Sequence, residues 1–397
     1  MYTKLFYKLI YISGKLFSLL GPLGMNFNPS TQKFVGTPKL RKLQLYGCLS
    51  LTLQMIICCW RTYEVFTDYP GGSYNPSFHI CFGFSFIMVI ACFPLWLLYF
   101  KQDELKNGIN RAMRYSVQFQ GNWMPKYIPE KSFYSRAIDL VLLPNIFFTS
   151  CGPWTSFGFF LMAPDTPVFA HTILPKTMTE TMMGYLAYNV ALMTDLFFFF
   201  GTAVTVWGLI LAFGSLSATF VFPICSMIGR ELQFRPQLEN REKLLSNFVN
   251  VHHEYNCVQL LHREVMDVMG FIVLYTHGMF GQFCLYCNFT IIKEWDRLDL
   301  HSLLLFTVWT LTTQIMWGLA LEIGGRLDSN LKKIPKSWKK IKTESPQDKR
   351  LITQVRRSCR PLNFGAEGIF SIKRNTILKF LRGIVKGTFR ALLTIGK

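Results

Sequence analysis

Six long apolar stretches constrain the fold of this chain more than any other feature. A helix needs about 20 apolar residues to cross the hydrocarbon core of a bilayer. Only 16% of the 397 residues are charged, whereas a soluble domain carries about 25%. The sequence therefore predicts an all-α membrane protein. The predicted spans are residues 43–59, 77–100, 137–162, 185–213, 265–290 and 301–323.

The basic residues between these stretches alternate strongly. In total, 31 Lys and Arg lie in residues 1–42, 101–136, 230–263 and 324–365, and only 4 lie in the three other connecting segments. Lys and Arg accumulate in cytoplasmic loops. We therefore expect a cytoplasmic N-terminus, long cytoplasmic loops and short extracellular ones. Because basic residues alternate with membrane spans, no nucleic-acid-binding patch is expected.

The segments outside the spans also carry helical patterns. Lys4, Lys8 and Lys15 share one face, which predicts an amphipathic helix on the inner leaflet. The apolar character of the fourth span runs on to Val221, so its lower half is expected to continue into the cytoplasm as a long helix. Apolar residues at helical spacing predict further cytoplasmic helices in residues 234–267 and 345–360.

The last forty residues predict a seventh span of a different kind. Residues 369–395 form one long helical candidate on which Lys379, Arg382, Lys386 and Arg390 share a narrow stripe. One cation at the bilayer centre costs roughly 2.5–3.5 kcal/mol, so four facing lipid would cost about 10 kcal/mol. A spanning helix must therefore turn the stripe toward a water-filled path at an axis between identical subunits. The alternative is a basic helix lying flat on the inner leaflet.

The predicted architecture is a seven-transmembrane helix bundle with a C-terminal pore-lining helix. It divides into a cytoplasmic N-terminal arm, a six-helix membrane bundle, a helical cytoplasmic anchor segment and the seventh helix. These four parts are residues 1–42, 43–323, 324–365 and 366–397.

Aromatic residues crowd the outer halves of the spans. An apolar cavity with a few polar groups suits a small, uncharged organic ligand, and His277 is a further candidate polar contact. The alternative is ordinary packing or contact with lipid. The predicted ligand-binding residues are Phe84, Trp154, Phe157, Tyr185, Tyr188, Asn189, Trp309 and Thr312.

No pattern predicts an enzyme. The His and Cys residues near His252 match neither a zinc site nor a catalytic template. Asp139, Asp195 and Glu322 are isolated carboxylates without partners at catalytic spacing. We therefore expect no catalytic residues, no bound metal and no cofactor.

The end of the chain resembles the arthropod chemoreceptor family, the gustatory and odorant receptors of insects. Gustatory receptors end their last helix with Thr-Tyr, four hydrophobic residues and Gln-Phe. This chain has Thr388, Phe389 as a close substitute for Tyr, and Arg390 within the hydrophobic run, with Thr394 and Ile395 where Gln and Phe are expected. The preceding residues 357–370 look like the turn between the cytoplasmic and membrane halves of that helix.

The resemblance implies a tetrameric, ligand-gated cation channel of the plasma membrane, opened by a tastant or odorant and built from receptor or co-receptor subunits. The last helix would line the pore, with Lys386, Arg390, Leu393 and Thr394 near the gate and the C-terminus outside the cell. The ligand would bind among the second, third, fourth and sixth spans. A ring of cations in a pore repels cations, and this departs from the family.

Other classes of membrane protein are alternatives. The orientation is opposite to that of rhodopsin-like receptors, and the chain lacks their Asp-Arg-Tyr and Asn-Pro-x-x-Tyr motifs, so no G-protein partner is expected. A transporter of a small organic solute is the first alternative, although the spans lack paired intramembrane acids. The second is a membrane scaffold held by a surface-lying C-terminal helix.

Overall fold

The structure is a computed structural model. It describes residues 1–21, 23–124, 128–174, 180–227, 232, 248–341, 345–359, 362 and 364–395. Eleven α-helices and one two-stranded hairpin lie within these residues. The helices are α1 (Lys4–Leu20), α2 (Pro38–Asp68), α3 (Pro76–Phe100), α4 (Gln102–Trp123), α5 (Phe133–Met162), α6 (Met182–Ser226), α7 (Phe248–Lys293), α8 (Leu300–Leu331), α9 (Lys333–Ser337), α10 (Pro346–Ser358) and α11 (Thr376–Ile395). The antiparallel strands are β1 (Met25–Asn28) and β2 (Lys33–Gly36).

Capping residues begin four of the apolar helices, among them α6, where the Thr181 hydroxyl accepts from the Gly184 N–H. The Thr37 hydroxyl accepts a hydrogen bond from the backbone of α2, and Pro38 occupies the first turn. Asn75 and Pro76 begin α3 in the same way. Asp299 accepts two backbone N–H groups of α8. A capping side chain accepts hydrogen bonds from backbone N–H groups that have no partner within the helix. Proline is tolerated in the first turn because no backbone N–H is needed there.

Five of the described helices are long and apolar enough to cross a membrane: α2, α3, α6, α7 and α8. They contain the first, second, fourth, fifth and sixth predicted spans. The third predicted span lies in α5, where many side chains between residues 144 and 156 fall outside the described part. The seventh corresponds to α11, which is set apart by its four basic residues. The predicted all-α membrane bundle is confirmed, with the hairpin as an addition.

The last helix begins later than the sequence predicts. Residues 369–375 are not helical, and α11 starts at Thr376. Ahead of it the chain forms a closed turn in which the Ile372 N–H donates to the Phe364 carbonyl at 2.8 Å. Gly365 and Gly368 adopt φ angles of 135° and 78° there, a region that favours glycine. Backbone pairing within this turn therefore replaces the first two turns of the expected helix. We call residues 364–375 the elbow.

Two helices are much longer than a bilayer is thick. α6 has 45 residues and α7 has 46, so each is about 68 Å long at 1.5 Å per residue. The prediction that the fourth span continues as a long helix agrees with α6. Part of the amphipathic segment predicted at 234–267 joins the fifth span without a break, since α7 is continuous from Phe248. Residues 234–247 lie outside the described part.

Helices outside the apolar bundle pack on these extensions. α4 contacts α6 and α7, where the Tyr115 hydroxyl and the Trp123 indole N–H both donate to the Glu254 carboxylate. Burial, and then the hydrogen bond to Glu254, raise the pKa of Tyr115. The phenol therefore stays protonated and remains a donor.

The N-terminal arm is packed on protein. Phe6 and Ile10 of α1 are fully buried, and the helix contacts α5, α6 and β1. Lys4, Lys8 and Lys15 are exposed on the other side, as their spacing indicates. The apolar face predicted to rest on lipid is thus covered largely by the bundle.

Candidate ligand site and pore helix

An aromatic cluster joins four helices in the upper bundle. Phe84 of α3 is buried at its centre, and its ring lies 5.0 Å, centroid to centroid, from Trp309 of α8 in an edge-to-face arrangement. Phe199 of α6 lies 5.7 Å away and Phe159 of α5 lies 5.8 Å away. Such pairs add roughly 0.5–1.5 kcal/mol each beyond the burial of area. The cluster therefore fixes α3, α5, α6 and α8 relative to one another.

The loop between α5 and α6 folds back into this cluster. Phe169 from the loop is buried 5.2 Å from Phe199. Two residues later, His171 Nδ1 lies 2.8 Å from Asp195 Oδ2, and the His171 backbone N–H donates to the same oxygen. Asp195 is thus half of a buried pair, and its description as an isolated carboxylate was wrong. Sequence spacing could not show a partner that a loop supplies from 24 residues away.

The buried pair leaves two polar atoms available. His171 Nε2 and Asp195 Oδ1 are buried and lack a hydrogen-bond partner among the residues that the structure describes. The Phe160 ring lies 5.7 Å from the His171 ring, and the Tyr188 ring lies 5.8 Å from it. Polar atoms set in an aromatic wall are the usual means of orienting a small organic molecule.

Arg61 anchors the same loop from α2. Its side chain is buried, and it donates to the Pro167 carbonyl at 2.6 Å and to the Thr172 hydroxyl at 3.0 Å. It also pairs with Glu64. The sequence placed Arg61 in an extracellular loop, but α2 continues to Asp68. A paired, hydrogen-bonded arginine is tolerated inside the bundle.

The other two isolated carboxylates also have partners. Asp139 accepts a hydrogen bond from the Thr3 hydroxyl at 2.8 Å, which joins α5 to the N-terminal arm. Glu322 pairs with Arg326 one turn later on α8, at 2.7 Å. His277, a predicted polar contact of the pocket, accepts a hydrogen bond from the Trp317 indole near the elbow.

The structure brings some of the predicted ligand-binding residues together. Phe84 and Trp309 are in contact, and Tyr188 lies beside the buried His171–Asp195 pair. Phe157 packs instead on Phe200. The Trp154 side chain lies outside the described residues.

The remaining three predicted residues lie toward the surface. Tyr185 is 60% exposed near the start of α6. The Asn189 amide donates to the Tyr185 carbonyl at 2.8 Å, so it is engaged within its own helix. Thr312 is half-buried on α8, one turn beyond Trp309. These three are farther from the centre of the cluster than Phe84 is.

Three lengthwise bands divide the surface of α11. Phe380, Ile384 and Thr388 are buried where the helix packs on α7 and α8. The next band is apolar and exposed, and the third contains the basic residues, also exposed. At 100° per residue, the basic band lies roughly opposite the buried band. The exposed apolar band is Leu378, Leu381, Val385 and Phe389, and the basic band is Lys379, Arg382, Lys386 and Arg390.

The C-terminal segment runs up the side of α7. Gly365 of the elbow lies against Gly270, and Gly387 of α11 lies against Leu285. These two contacts are separated by 15 residues of α7, or about 22 Å along the helix. Because the hydrocarbon core is about 30 Å thick, this climb matches much of a membrane crossing. A helix lying flat on the surface would not follow α7 in this way.

Solved structures share this arrangement over nearly the whole chain. The insect olfactory receptor OR5 from Machilis hrabei matches with a TM-score of 0.58 and 10% sequence identity, over 98% of this chain and 97% of the other. The chain has the fold of the insect olfactory receptors. The same receptor in complex with eugenol matches with a TM-score of 0.58 and 11% identity, over 97% of this chain and 98% of the other. No protein-family model and no curated protein matches the sequence.

The olfactory-receptor fold agrees with the resemblance stated from the C-terminal residues. At 10% identity, the comparison establishes a shared fold. The prediction from sequence did not include Phe169 and Phe199, which complete the aromatic cluster. It also did not include His171, which supplies polar atoms at the edge of the cluster. A usable signal was present, because Phe169 and His171 interrupt a loop otherwise rich in Pro and Thr.

In this version of the olfactory-receptor fold, glycines seat the elbow against two helices. A Cβ atom added at Gly270 of α7 would lie 2.6 Å from the Gly365 carbonyl oxygen. One added at Gly324 or Gly325 of α8 would lie 3.0 Å from Ile372 or Arg374, respectively. The close approach of the elbow to both helices therefore depends on the absence of side chains at these positions.

Proposed function

We propose that this chain is a subunit of a chemosensory channel of the plasma membrane that opens when a small organic molecule binds. The observation that carries the proposal is the course of the C-terminal segment, which climbs beside α7 with its basic band turned away from its own bundle. The ligand would bind in the aromatic cluster. Phe84, Trp309 and Tyr188 are the predicted residues best placed to contact it.

The basic band supports an aqueous path beside α11. Four exposed cations at membrane depth would cost about 10 kcal/mol if they faced lipid. The buried band already packs on α7 and α8 of the same subunit, so water must be provided from the opposite side. Several copies arranged about an axis would enclose such a path. The resemblance implies four copies, which would place Lys386, Arg390, Leu393 and Thr394 around the axis.

The exposed apolar band supports the same arrangement. It lies between the buried band and the basic band, and Phe389 within it is 64% exposed. In an axial assembly this side of α11 would meet lipid or the neighbouring subunit, while the basic band would face the axis. Covering an apolar side chain of this size contributes about 1.5–3 kcal/mol. In an isolated subunit, the exposed apolar band would face the same water that hydrates the basic band.

The aromatic cluster supports a small, mostly apolar ligand. Its wall combines the Phe84 and Trp309 rings with two polar atoms, His171 Nε2 and Asp195 Oδ1, that lack partners among the described residues. A ligand with one hydroxyl or ether group on a ring would match this chemistry. Eugenol, bound by the olfactory receptor with the similar fold, belongs to that class.

Whole-cell recording tests the proposal. Cells that express the full chain would be exposed to eugenol and a panel of other small phenols and aromatic ethers while the membrane current is measured. We expect at least one compound to evoke a current. Trp309→Phe should weaken the response about tenfold or more, because a central aromatic contact contributes 2 kcal/mol or more. Trp295→Phe is the matched control, since Trp295 is exposed after α7.

Surface labelling must accompany the recordings, so that loss of response is separated from loss of protein. A panel that evokes no current from chains present at the cell surface would contradict the channel. If the Trp309→Phe and Trp295→Phe variants responded equally, the proposal that the ligand binds in the aromatic cluster would be wrong. The proposal of a channel would stand.

A further inference from the structure

One side of α2 is exposed along most of its length and has the composition of a helix that faces lipid. Its exposed residues recur at steps of three and four, the spacing of one helix face. Tyr46 and Tyr63 bound the apolar part of this stripe and lie 17 positions apart, about 25 Å along the helix, whereas a hydrocarbon core is about 30 Å thick. Tyr and Trp gather at the two interfaces of a membrane, so the stripe indicates one interface near Tyr46. The exposed residues of the stripe are Lys39, Lys42, Tyr46, Leu49, Leu53, Ile56, Trp60 and Tyr63.

α1 reaches the level of that interface and runs obliquely across the bundle. The residue that follows α1 packs against Leu43 at the start of α2. Near the start of the arm, the Tyr2 hydroxyl donates to the Thr219 carbonyl at 3.0 Å. Farther along, the Ser215 hydroxyl donates to Ser13 Oγ at 3.4 Å. These two contacts are 11 positions apart on the arm, about 16 Å, but only four apart on α6, about 6 Å. α1 therefore crosses α6 instead of following it, and it remains near the interface.

The exposed side of α1 combines apolar and basic side chains. Leu5, Ile12 and Leu19 recur every seven residues and are 50%, 37% and 76% exposed. At 100° per residue, these three and the lysines of α1 fall within about 100° of the helix circumference. Side chains of these two kinds, placed next to each other, are typical of a helix in a membrane interface, where the apolar groups enter the lipid and the ammonium groups stay with the phosphates. The exposed lysines of α1 are Lys4, Lys8 and Lys15.

The lysines of the arm and of α2 have no acidic counterpart on their own segments. Residues 1–63 contain eight Lys and Arg and no Asp or Glu. Arg41 pairs with Asp103 of α4 at 3.8 Å. Two other acids, Asp139 and Glu130, lie near the very start of the chain. Five exposed lysines on α1 and at the start of α2 form no salt bridge with any residue that the structure describes. These five, which we name the basic rim, are Lys4, Lys8, Lys15, Lys39 and Lys42.

We propose that the basic rim binds the headgroups of anionic phospholipids in the inner leaflet. Lysines at a membrane surface attract anionic headgroups such as that of phosphatidylserine, and the apolar residues beside them fit the boundary between headgroups and acyl chains. Each lysine near an anionic leaflet strengthens binding about fivefold, so the rim favours an anionic lipid over a neutral one. The inference uses the cytoplasmic position predicted for the N-terminus, and it is independent of ligand binding and of channel opening.

Lipid titration of the purified full chain in detergent tests the inference. The probes are fluorescently labelled phosphatidylserine, which is anionic, and phosphatidylcholine with the same label, which carries no net charge. We expect phosphatidylserine to bind at least tenfold more tightly at low salt. This preference should shrink as salt is added, because the screening length between exposed charges falls to about 10 Å at 0.1 M.

Three variants locate the binding on the surface. Neutralising the rim on α1 with Lys4→Gln, Lys8→Gln and Lys15→Gln should weaken phosphatidylserine binding on the order of 100-fold and leave phosphatidylcholine binding unchanged. The double variant Lys39→Gln with Lys42→Gln tests the other part of the rim and serves if the first variant does not fold; its expected loss is on the order of 30-fold. The matched control removes the same charge from three exposed residues of α10 and should have no effect. Its substitutions are Lys349→Gln, Arg350→Gln and Arg357→Gln.

Light scattering on the same samples separates lipid from protein as the occupant of the rim. A loss of phosphatidylserine binding confined to the rim variants supports the inference. Equal binding of the two lipids, unchanged binding by the rim variants, or an equal loss in the α10 control would overturn it. Rim variants that change the oligomeric state while phosphatidylserine binding stays the same would assign the surface to a second copy of the chain and would also overturn it.

Discussion

Gly270 is the position at which one added methyl group should move the last helix. It lies within α7, and a Cβ atom there would be 2.6 Å from the Gly365 oxygen, 3.0 Å from the Gly365 carbon and 3.1 Å from the Ala366 Cα. All three neighbours are backbone atoms, so no side chain can rotate away. Ordinary contact begins near 3.4 Å, which requires the elbow to retreat by about 0.8 Å.

The energetic cost of Gly270→Ala can be isolated with a control on the same helix. Forcing a methyl group into a well-packed site costs about 1–3 kcal/mol. Alanine also gains about 1 kcal/mol over glycine in a helix interior, which would mask part of this cost. Gly278→Ala has the same gain, but an added Cβ atom there meets nothing within 4 Å. The difference between the two variants is therefore the packing cost alone, about 1–3 kcal/mol.

Thermal unfolding of the purified protein in detergent provides the measurement. We expect Gly270→Ala to melt about 1–4 °C below Gly278→Ala. In recordings, the displaced elbow should also change the frequency of channel openings. If both variants melt at the same temperature and open alike, the close contact of α7 with the elbow does not position the last helix.

Two further predictions concern the loop and the chain end. Asp195→Ala leaves the buried His171 N–H groups without an acceptor, which should cost about 1–3 kcal/mol and lower the melting temperature; Asp296→Ala, at an exposed position, should not change it. An epitope tag after Lys397 should be stained on intact cells, because the distribution of basic residues predicts that α11 starts on the cytoplasmic side, and a helix that crosses the membrane from there would end outside. Staining only after permeabilisation would place the end of α11 inside the cell and exclude the axial pore.

The membrane spans could be predicted from composition because a bilayer imposes one length and one polarity on every crossing helix. That signal is local, and each of the first six predicted spans lies within a described helix. The same signal cannot detect α11, whose four basic residues reduce its hydropathy. Periodicity found it instead, but extended it back to residue 369 because the elbow residues are apolar enough to continue the pattern.

The aromatic cluster was less predictable because it depends on contacts between distant residues. Phe84 and Phe199 are separated by 115 positions and meet only when α3 and α6 pack. The pairing of His171 with Asp195 depends on a loop that folds inward, and no spacing rule encodes that return. Tyr185 shows why a pattern alone does not fix orientation, since an aromatic residue near a helix start has the same sequence context whether it faces the bundle or, as this 60% exposed side chain does, the surface.

α8 contributes to both proposed sites. Trp309 lies in the aromatic cluster, and Trp317 lies eight residues later beside the His277 and Phe280 rings of α7, about 12 Å along the same helix. Gly318, the next residue, contacts Ile377 of α11. If the aromatic cluster binds the ligand and α11 forms the gate, a helix held at both places has few independent ways to move, so ligand affinity and gate position would share one coupling free energy. Thermodynamic linkage makes that coupling reciprocal. If ligand binding raised the ratio of open to closed states by some factor, opening would raise the affinity for the ligand by the same factor.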